Sequence, residues 1–261
     1  MRGTYIGNDR MLVDLAYGGM LLASASDLSL MPSLVTTGMI EPPLTQFFLD
    51  QVEPGQVVVD VGANIGYFTV LAAKLVGDTG RVVAFEANPS AVRLLKDNLA
   101  VNWLTGHDVR VEALAVSSAE GTVTLNASEK FLGDSSVNLR PAADNLVDDP
   151  QAVEVPAVTL DGALQDLPVI DLLKVDIEGG EFHAFTGMQR LLGEGRVRRV
   201  VFEWNRGMLG EDADRLLDLL RRACDEQGAS LAVLSDEGGL IPVRLESLAE
   251  LAFFPSAVLT F

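Results

Sequence analysis

Basic residues, histidine and cysteine are all scarce in this chain. Lysine and arginine number 19 against 37 acids, for a formal net charge of −18. Such a surface repels phosphate backbones, so no nucleic-acid partner is expected. Arg196, Arg198 and Arg199, with Arg190 nearby, form the one basic cluster, which a solvated helix end and loop accounts for. The single cysteine, Cys224, excludes an intramolecular disulfide and a cysteine-rich metal centre. Its neighbours Leu219, Leu220 and Ala223 make it a small, at least partly buried residue. No apolar run reaches the length of a membrane span. Met11 to Ala25 comes nearest, but Asp14, Gly18 and Gly19 interrupt it. It also lacks the basic start and unbroken apolar centre of a signal peptide. The expectation is a cytoplasmic protein with no membrane partner.

What the chain does hold is an apolar fraction of 48% over 261 residues, enough for one large α/β domain with no dividing linker. Its centre is Val57 to Pro89. The run Val57-Val58-Val59-Asp60-Val61 is apolar and β-branched, as in a strand buried on both faces. Gly62-Ala63-Asn64-Ile65-Gly66 then permits a tight turn with close backbone approach to a ligand. Ile65, Phe68, Leu71, Ala72 and Leu75 recur at helical spacing, and Gly77 and Gly80 end the helix. A second apolar strand closes on Glu86. The acid at that point in nucleotide-binding α/β folds hydrogen-bonds ribose hydroxyls, and Glu86 follows Gly62 at close to the roughly 20 residues expected. Asn64 and Tyr67 stand where a dinucleotide fingerprint has its second and third glycines. With Asp60 before them, they fit an anionic pyrophosphate poorly and a ligand with a cationic amino-acid end better.

Around this unit, residues 4–25 read as a small hairpin, with turns at Gly7-Asn8-Asp9 and Gly18-Gly19. Asp27 starts a short helix through Leu34, and Pro42-Pro43 start another through Val52. Residues 1–54 thus form an N-terminal extension. A helix follows Pro89 to about Asn102, with Trp103 packed under its end. Strands are expected at Val109 to Val116, Gly121 to Leu125 and Val153 to Val158. Between the last two, the polar stretch Glu129 to Pro150 has the length of a lid. Ile170 to Asp176 is a strand, Glu181 to Leu192 a helix, and Val197 to Glu203 a strand. A helix over Asp212 to Gln227 and strands at Ser230 to Leu234, Leu240 to Val243 and Phe253 to Thr260 complete the chain. The alternation predicts a doubly wound, mostly parallel sheet.

Asp60-Val61-Gly62-Ala63-Asn64-Ile65-Gly66-Tyr67 with Phe85-Glu86-Ala87-Asn88-Pro89 resembles a class I S-adenosylmethionine-dependent methyltransferase. Leu173-Lys174-Val175-Asp176-Ile177-Glu178-Gly179-Gly180-Glu181 narrows the resemblance to the FkbM family, over roughly Tyr5 to Asn205. It implies a seven-stranded Rossmann-like sheet with an antiparallel C-terminal strand. It also implies S-adenosyl-L-methionine as cofactor and O-methylation of a hydroxyl on a small-molecule acceptor, a secondary metabolite or sugar. The cofactor contacts expected on this basis are Gly62, Ala63, Asn64, Gly66, Tyr67, Glu86, Ala87, Asn88 and Ala115, with Glu41 from the extension. Asp60 is expected to orient the glycine loop or the cofactor's ammonium group, and Asp176 to lie near the reactive methyl.

Four strands end in acids: Asp60, Glu86, Asp176 and Glu203. Buried strand ends rarely carry so many carboxylates for packing alone. An alcohol acceptor must lose a proton, which a base or a metal assists. Asp176 is the first candidate for base or metal ligand, with Glu203 as helper, and carboxylate ligands suit Mg²⁺. A helix cap is its other reading. Lys174 faces the same side of the strand, as an ion-pair partner or a structural residue. His183 is a further catalytic candidate near Asp176, and equally a helix-face residue; His107 reads as a surface residue. The alternatives are a nicotinamide-dependent oxidoreductase and a cofactor-binding scaffold without activity.

Overall fold

The computed structural model describes residues 2–127 and 151–261. The expected lid, Glu129 to Pro150, lies outside the described residues. The chain opens with β1 (Gly3–Gly7), β2 (Arg10–Asp14) and β3 (Met20–Ser24), an antiparallel meander. Three strands thus replace the single hairpin expected. The outer edge of β3 is tied to the domain by two asparagines. Asn98 Oδ1 accepts from Leu22 N–H at 2.5 Å, and Asn102 Oδ1 from Met20 N–H at 3.1 Å. Helices α1 (Met31–Thr37) and α2 (Pro42–Gln51) follow. The first begins later than expected because Asp27 closes a turn of its own, accepting from the N–H groups of Ser29 and Leu30.

The main domain runs through β4 (Val57–Val61), α3 (Tyr67–Val76), β5 (Arg81–Phe85), α4 (Pro89–Val101) and β6 (Val109–Glu112). A second small sheet holds β7 (Ala115–Val116), β8 (Gly121–Ala127) and β9 (Gln151–Val158), in the order β7-β9-β8. The chain then returns through α5 (Leu160–Ala163), β10 (Leu172–Val175), α6 (Glu181–Thr186), α7 (Gln189–Gly193) and β11 (Arg199–Asn205). It finishes with α8 (Arg206–Leu209), α9 (Asp212–Gln227), β12 (Ser230–Leu234), β13 (Leu240–Pro242), α10 (Leu245–Glu250) and β14 (Phe253–Thr260).

The main sheet has eight strands in the order β13-β12-β14-β11-β10-β4-β5-β6. Its middle, β11 to β6, is parallel, while β14 pairs antiparallel with both β11 and β12 and β13 antiparallel with β12. The sheet is therefore mixed, one strand larger than the seven expected, because the short Leu240–Pro242 segment adds an outer edge. Side chains alternate across it. Val59, Val61 and Val175 join one apolar core, and Val58 and Leu172 the other. Among the described residues no helix is long and apolar enough to cross a membrane.

Three local expectations are corrected. The strand expected over Val109 to Val116 breaks at Ala113-Leu114, and its end joins the small sheet. The helix from Glu181 to Leu192 is two helices. At the break a Cβ on Gly187 would lie 2.3 Å from the Ser117 carbonyl oxygen, so the chain crosses there too closely for a side chain. Trp103 does not pack under α4 but is 88% exposed, at φ 61°.

Candidate active site

The chain passes from β4 outward through β5 and β6, then returns to lay β10 on the other side of β4. That reversal is where open α/β sheets bind ligands, beyond the carboxyl ends of the strands. A cavity of about 380 Å³ lies there, within the range of small-molecule sites. Its walls come from the loops after β4, β5 and β10, from the β6–β7 crossover and from the N-terminal extension.

The loop after β4 is shaped by contact. Gly62 has φ 78°, and a Cβ on it would stand 1.7 Å from the Asp176 carbonyl oxygen. Only glycine lets the two strand ends come this close. Asn64 continues the turn at φ 51° and donates its N–H to Glu86 Oε2 at 2.7 Å. Asn88 N–H donates to Glu86 Oε1 at 2.7 Å, so both carboxylate oxygens are fixed by loop backbone. Burial pushes the Glu86 carboxyl upward, against those two bonds. Asn64 lines the cavity, and its Oδ1 is buried without a hydrogen-bond partner.

Behind the loop lies a charged cross-strand pair. Asp60 and Lys174 are register partners on β4 and β10, and both side chains are buried. Thr69 Oγ1 donates to Asp60 Oδ2 at 2.6 Å, and Lys174 Nζ stands 3.6 Å from Asp60 Oδ1 and 3.1 Å from Asp176 Oδ2. Burial pulls the Lys174 pKa down, but Asp176, Asp60 and Glu41 outweigh it and the net shift is upward. The ammonium stays charged and faces its carboxylates.

Acids dominate the rest. Burial, and behind it the charge of Asp176, pushes the Glu41 carboxyl up to about 7; Lys174 opposes the shift and Asp60 adds to it. Burial also raises Glu181 to about 7, although its Oε1 accepts from Ile177 and Gly179 N–H. Glu203 is pushed to about 9 by burial, then by Asp176, Glu178, Glu181 and Glu41. At neutral pH Glu203 is a neutral acid.

Of the residues expected from sequence, Glu41, Gly62, Ala63, Asn64, Tyr67, Glu86, Ala87, Ala115 and Asp176 line the cavity together. Asp60 lies beneath it, Gly66 packs on Leu95, and Asn88 caps α4 while holding Glu86. The structure does not bring His183 to the wall: its ring is engaged by Ser118 at 3.3 Å and Asp212 at 3.2 Å. Glu203 also stands off the wall. The expected Mg²⁺ site on Asp176 and Glu203 is not supported. Among the described residues no three His, Cys, Asp or Glu side chains converge as ligands. Asp176 already faces the Lys174 ammonium 3.1 Å away, and Glu203 stands off the cavity wall. Nor is Asp176 a helix cap, since α6 starts at Gly180 without a side-chain cap.

Sequence reasoning missed Ser29, Leu30, Ser33 and Ile40, which reach the cavity from the extension, and Leu125 from the small sheet. No periodicity signals them; only the packing of α1 and β8 over the strand ends does.

A doubly wound sheet carrying a glycine turn and a clamped strand-end acid at its switch point places the chain in the Rossmann-like class. The sequence model of the Methyltransferase FkbM domain matches residues 60–230, and the chain belongs to that family. Methyltransferase sdnD of Sordaria araneosa is 30% identical over 188 residues, covering 62% of this chain and 71% of that one. The 31-O-demethyl-FK506 methyltransferase FkbM of Streptomyces tacrolimicus is 29% identical over 188 residues, covering 62% and 70%. A crystal structure of Methyltransferase FkbM from Methylobacillus flagellatus KT superposes with a TM-score of 0.49 at 14% identity, over 83% of this chain and 50% of that one.

Proposed function

We propose that this methyltransferase takes its methyl group from S-adenosyl-L-methionine and delivers it to a hydroxyl oxygen of a small molecule. The observation that carries the reading is Glu86, fixed through both oxygens by Asn64 and Asn88 N–H groups on the wall of the switch-point cavity. A carboxylate held in this way is preorganised to accept ribose hydroxyls. The residues fit the rest of the cofactor. The acidic wall suits its ammonium group, and Leu114, Ala115 and Leu125 give an apolar slot for a ring.

The cofactor supplies a methyl on a sulfonium, already a good leaving group. The protein's part is to align the acceptor and exclude water. Asp176, ion-paired with Lys174 at 3.1 Å, lines the cavity where the reactive methyl is placed. Oxygen as the target follows the relative whose name carries 31-O-demethyl-FK506; a secondary metabolite or a sugar is the substrate class. We place the whole chain in one methyltransferase domain, with residues 1–54 as its extension.

Calorimetry with S-adenosylhomocysteine and with NAD tests the reading. Binding of the first at micromolar concentration and none of the second is expected. The reverse would replace the methyl donor with a nicotinamide.

A further inference from the structure

The family match begins at residue 60, yet the extension before it contributes to the cavity wall. Among its wall residues Glu41 is the one acid, and it feels the charges of Asp176, Lys174 and Asp60. Six described non-glycine residues have positive φ, and three of them, Glu41, Asn64 and Glu178, line this one cavity. Left-handed backbone at such residues costs free energy and persists where surroundings enforce it. For Glu41 the enforcement is visible. It occupies the position before α2 at φ 43°, yet its side chain makes no capping bond to the helix. Its carbonyl accepts from Thr45 N–H at 2.9 Å. Thr45, fully buried, donates its hydroxyl to the Ile40 carbonyl at 2.6 Å and meets the Tyr67 hydroxyl at 3.0 Å. Tyr67 is the first residue of α3, directly after the glycine turn, and Tyr17 donates to its carbonyl at 3.1 Å. A chain of buried polar groups therefore runs from the cofactor loop to the Ile40-Glu41 turn. It also accounts for a tyrosine where a dinucleotide fold has glycine.

We propose that Glu41 is the proton acceptor for the methylated hydroxyl, with Thr45 and Tyr67 as its positioning residues. The inference rests on the methyl-transfer reading above. The acceptor oxygen forms its bond to the methyl carbon as the carbon–sulfur bond breaks. That electron pair stays on sulfur, and the hydroxyl proton passes to the Glu41 carboxylate and on to solvent. The charged and titratable groups facing Glu41 are Asp60 on β4, Tyr67 on α3, Lys174 and Asp176 on β10 and its end, and Glu203 on β11. They suit the division of labour: Asp176 is tied to an ammonium 3.1 Å away, whereas burial and the charge of Asp176 leave Glu41 titrating at about 7, near working pH.

The test uses the full chain and the variants Glu41→Gln, Thr45→Val and Thr45→Ser. S-adenosylhomocysteine binding is measured by calorimetry at pH 6.5 and 8.0. Transfer of a labelled methyl is measured to methyl glucoside and to cyclohexanediol, keeping the one that wild type turns over faster. The expected result is S-adenosylhomocysteine affinity within about threefold of wild type in all variants. Turnover in Glu41→Gln falls at least about a hundredfold, the lower end of general-base contributions. Wild-type turnover rises through pH of about 7 as the carboxylate forms, and Glu41→Gln loses that limb. Thr45→Val lowers turnover and displaces the limb, and Thr45→Ser restores both. Tenfold weaker S-adenosylhomocysteine binding in Glu41→Gln would make Glu41 a cofactor ligand and overturn the proposal, as would turnover within threefold of wild type. Wild type failing to bind S-adenosylhomocysteine at all would sink the methyl-transfer reading instead.

Discussion

Lys174 Nζ lies 3.1 Å from the Asp176 carboxylate, two residues along the same strand face, with its side chain only 3% exposed. The same ammonium is 3.6 Å from the fully buried Asp60. One cation thus serves the strand under the glycine turn and the strand end on the cavity wall.

Lys174→Met leaves Asp60 buried with only Thr69 as partner. Breaking one side of a buried pair costs about 3–5 kcal/mol. Urea unfolding is expected to show a loss of that size, with part of it recovered in the double variant with Asp60→Asn. A loss below about 1 kcal/mol would mean water reaches Asp60 and the pair contributes little.

Glu86→Ala removes the group that both Asn64 and Asn88 N–H bonds hold. S-adenosylhomocysteine affinity is expected to fall by about 1.5–3 kcal/mol, the range for hydrogen bonds to a charged group. Unchanged affinity in a folded variant would take Glu86 off the ribose.

Gly62→Ala forces a Cβ to within 1.7 Å of the Asp176 carbonyl oxygen, at φ 78°. Backbone rather than a flexible side chain is the obstacle, so β4 and β10 must separate. The expected outcome is a loss at or above the roughly 1–3 kcal/mol typical of overpacking, together with lost cofactor binding. Gly193→Ala is the control, since nothing lies within 4 Å of a Cβ there.

Glu203 offers a pH test. Its folded pKa, about 9, lies above the value of 4.5 for an unperturbed glutamate. A raised acid binds its proton more tightly when folded, so it favours the folded state most at low pH. That contribution is lost as pH rises from the unfolded pKa to about 9. Glu203→Gln is expected to melt higher than wild type at pH 8 by about 2–4 °C, the shift that 1 kcal/mol gives a domain of this size. The gap should close towards pH 5. Equal melting at both pH values would place the carboxyl in water.

Local chemistry alone determined the centre of this protein. Val57 to Glu86 reads as a strand, a glycine turn, a helix and a strand because each signal is short-range: β-branched runs, positive-φ glycines, helical spacing. The acids at or beside the ends of β4, β5 and β10 are legible for the same reason, since a strand's end is fixed by the turn after it, whereas Glu203, expected to end its strand, lies inside β11, which runs on to Asn205. What those acids face is not a local property. Asp60 and Lys174 are far apart in sequence and become cross-strand partners only because β10 returns to lie beside β4. His183 follows Asp176 closely, yet α6 carries it to Ser118 and Asp212, away from the cavity. Glu41 precedes the first core strand and is drawn in because Thr45 and Tyr67 fix its turn. Pairing across the sheet and packing of the extension over the strand ends decided which carboxylates are buried. Burial, more than residue type, separates the paired Asp176 from Glu41, which titrates at about 7, and from the neutral Glu203.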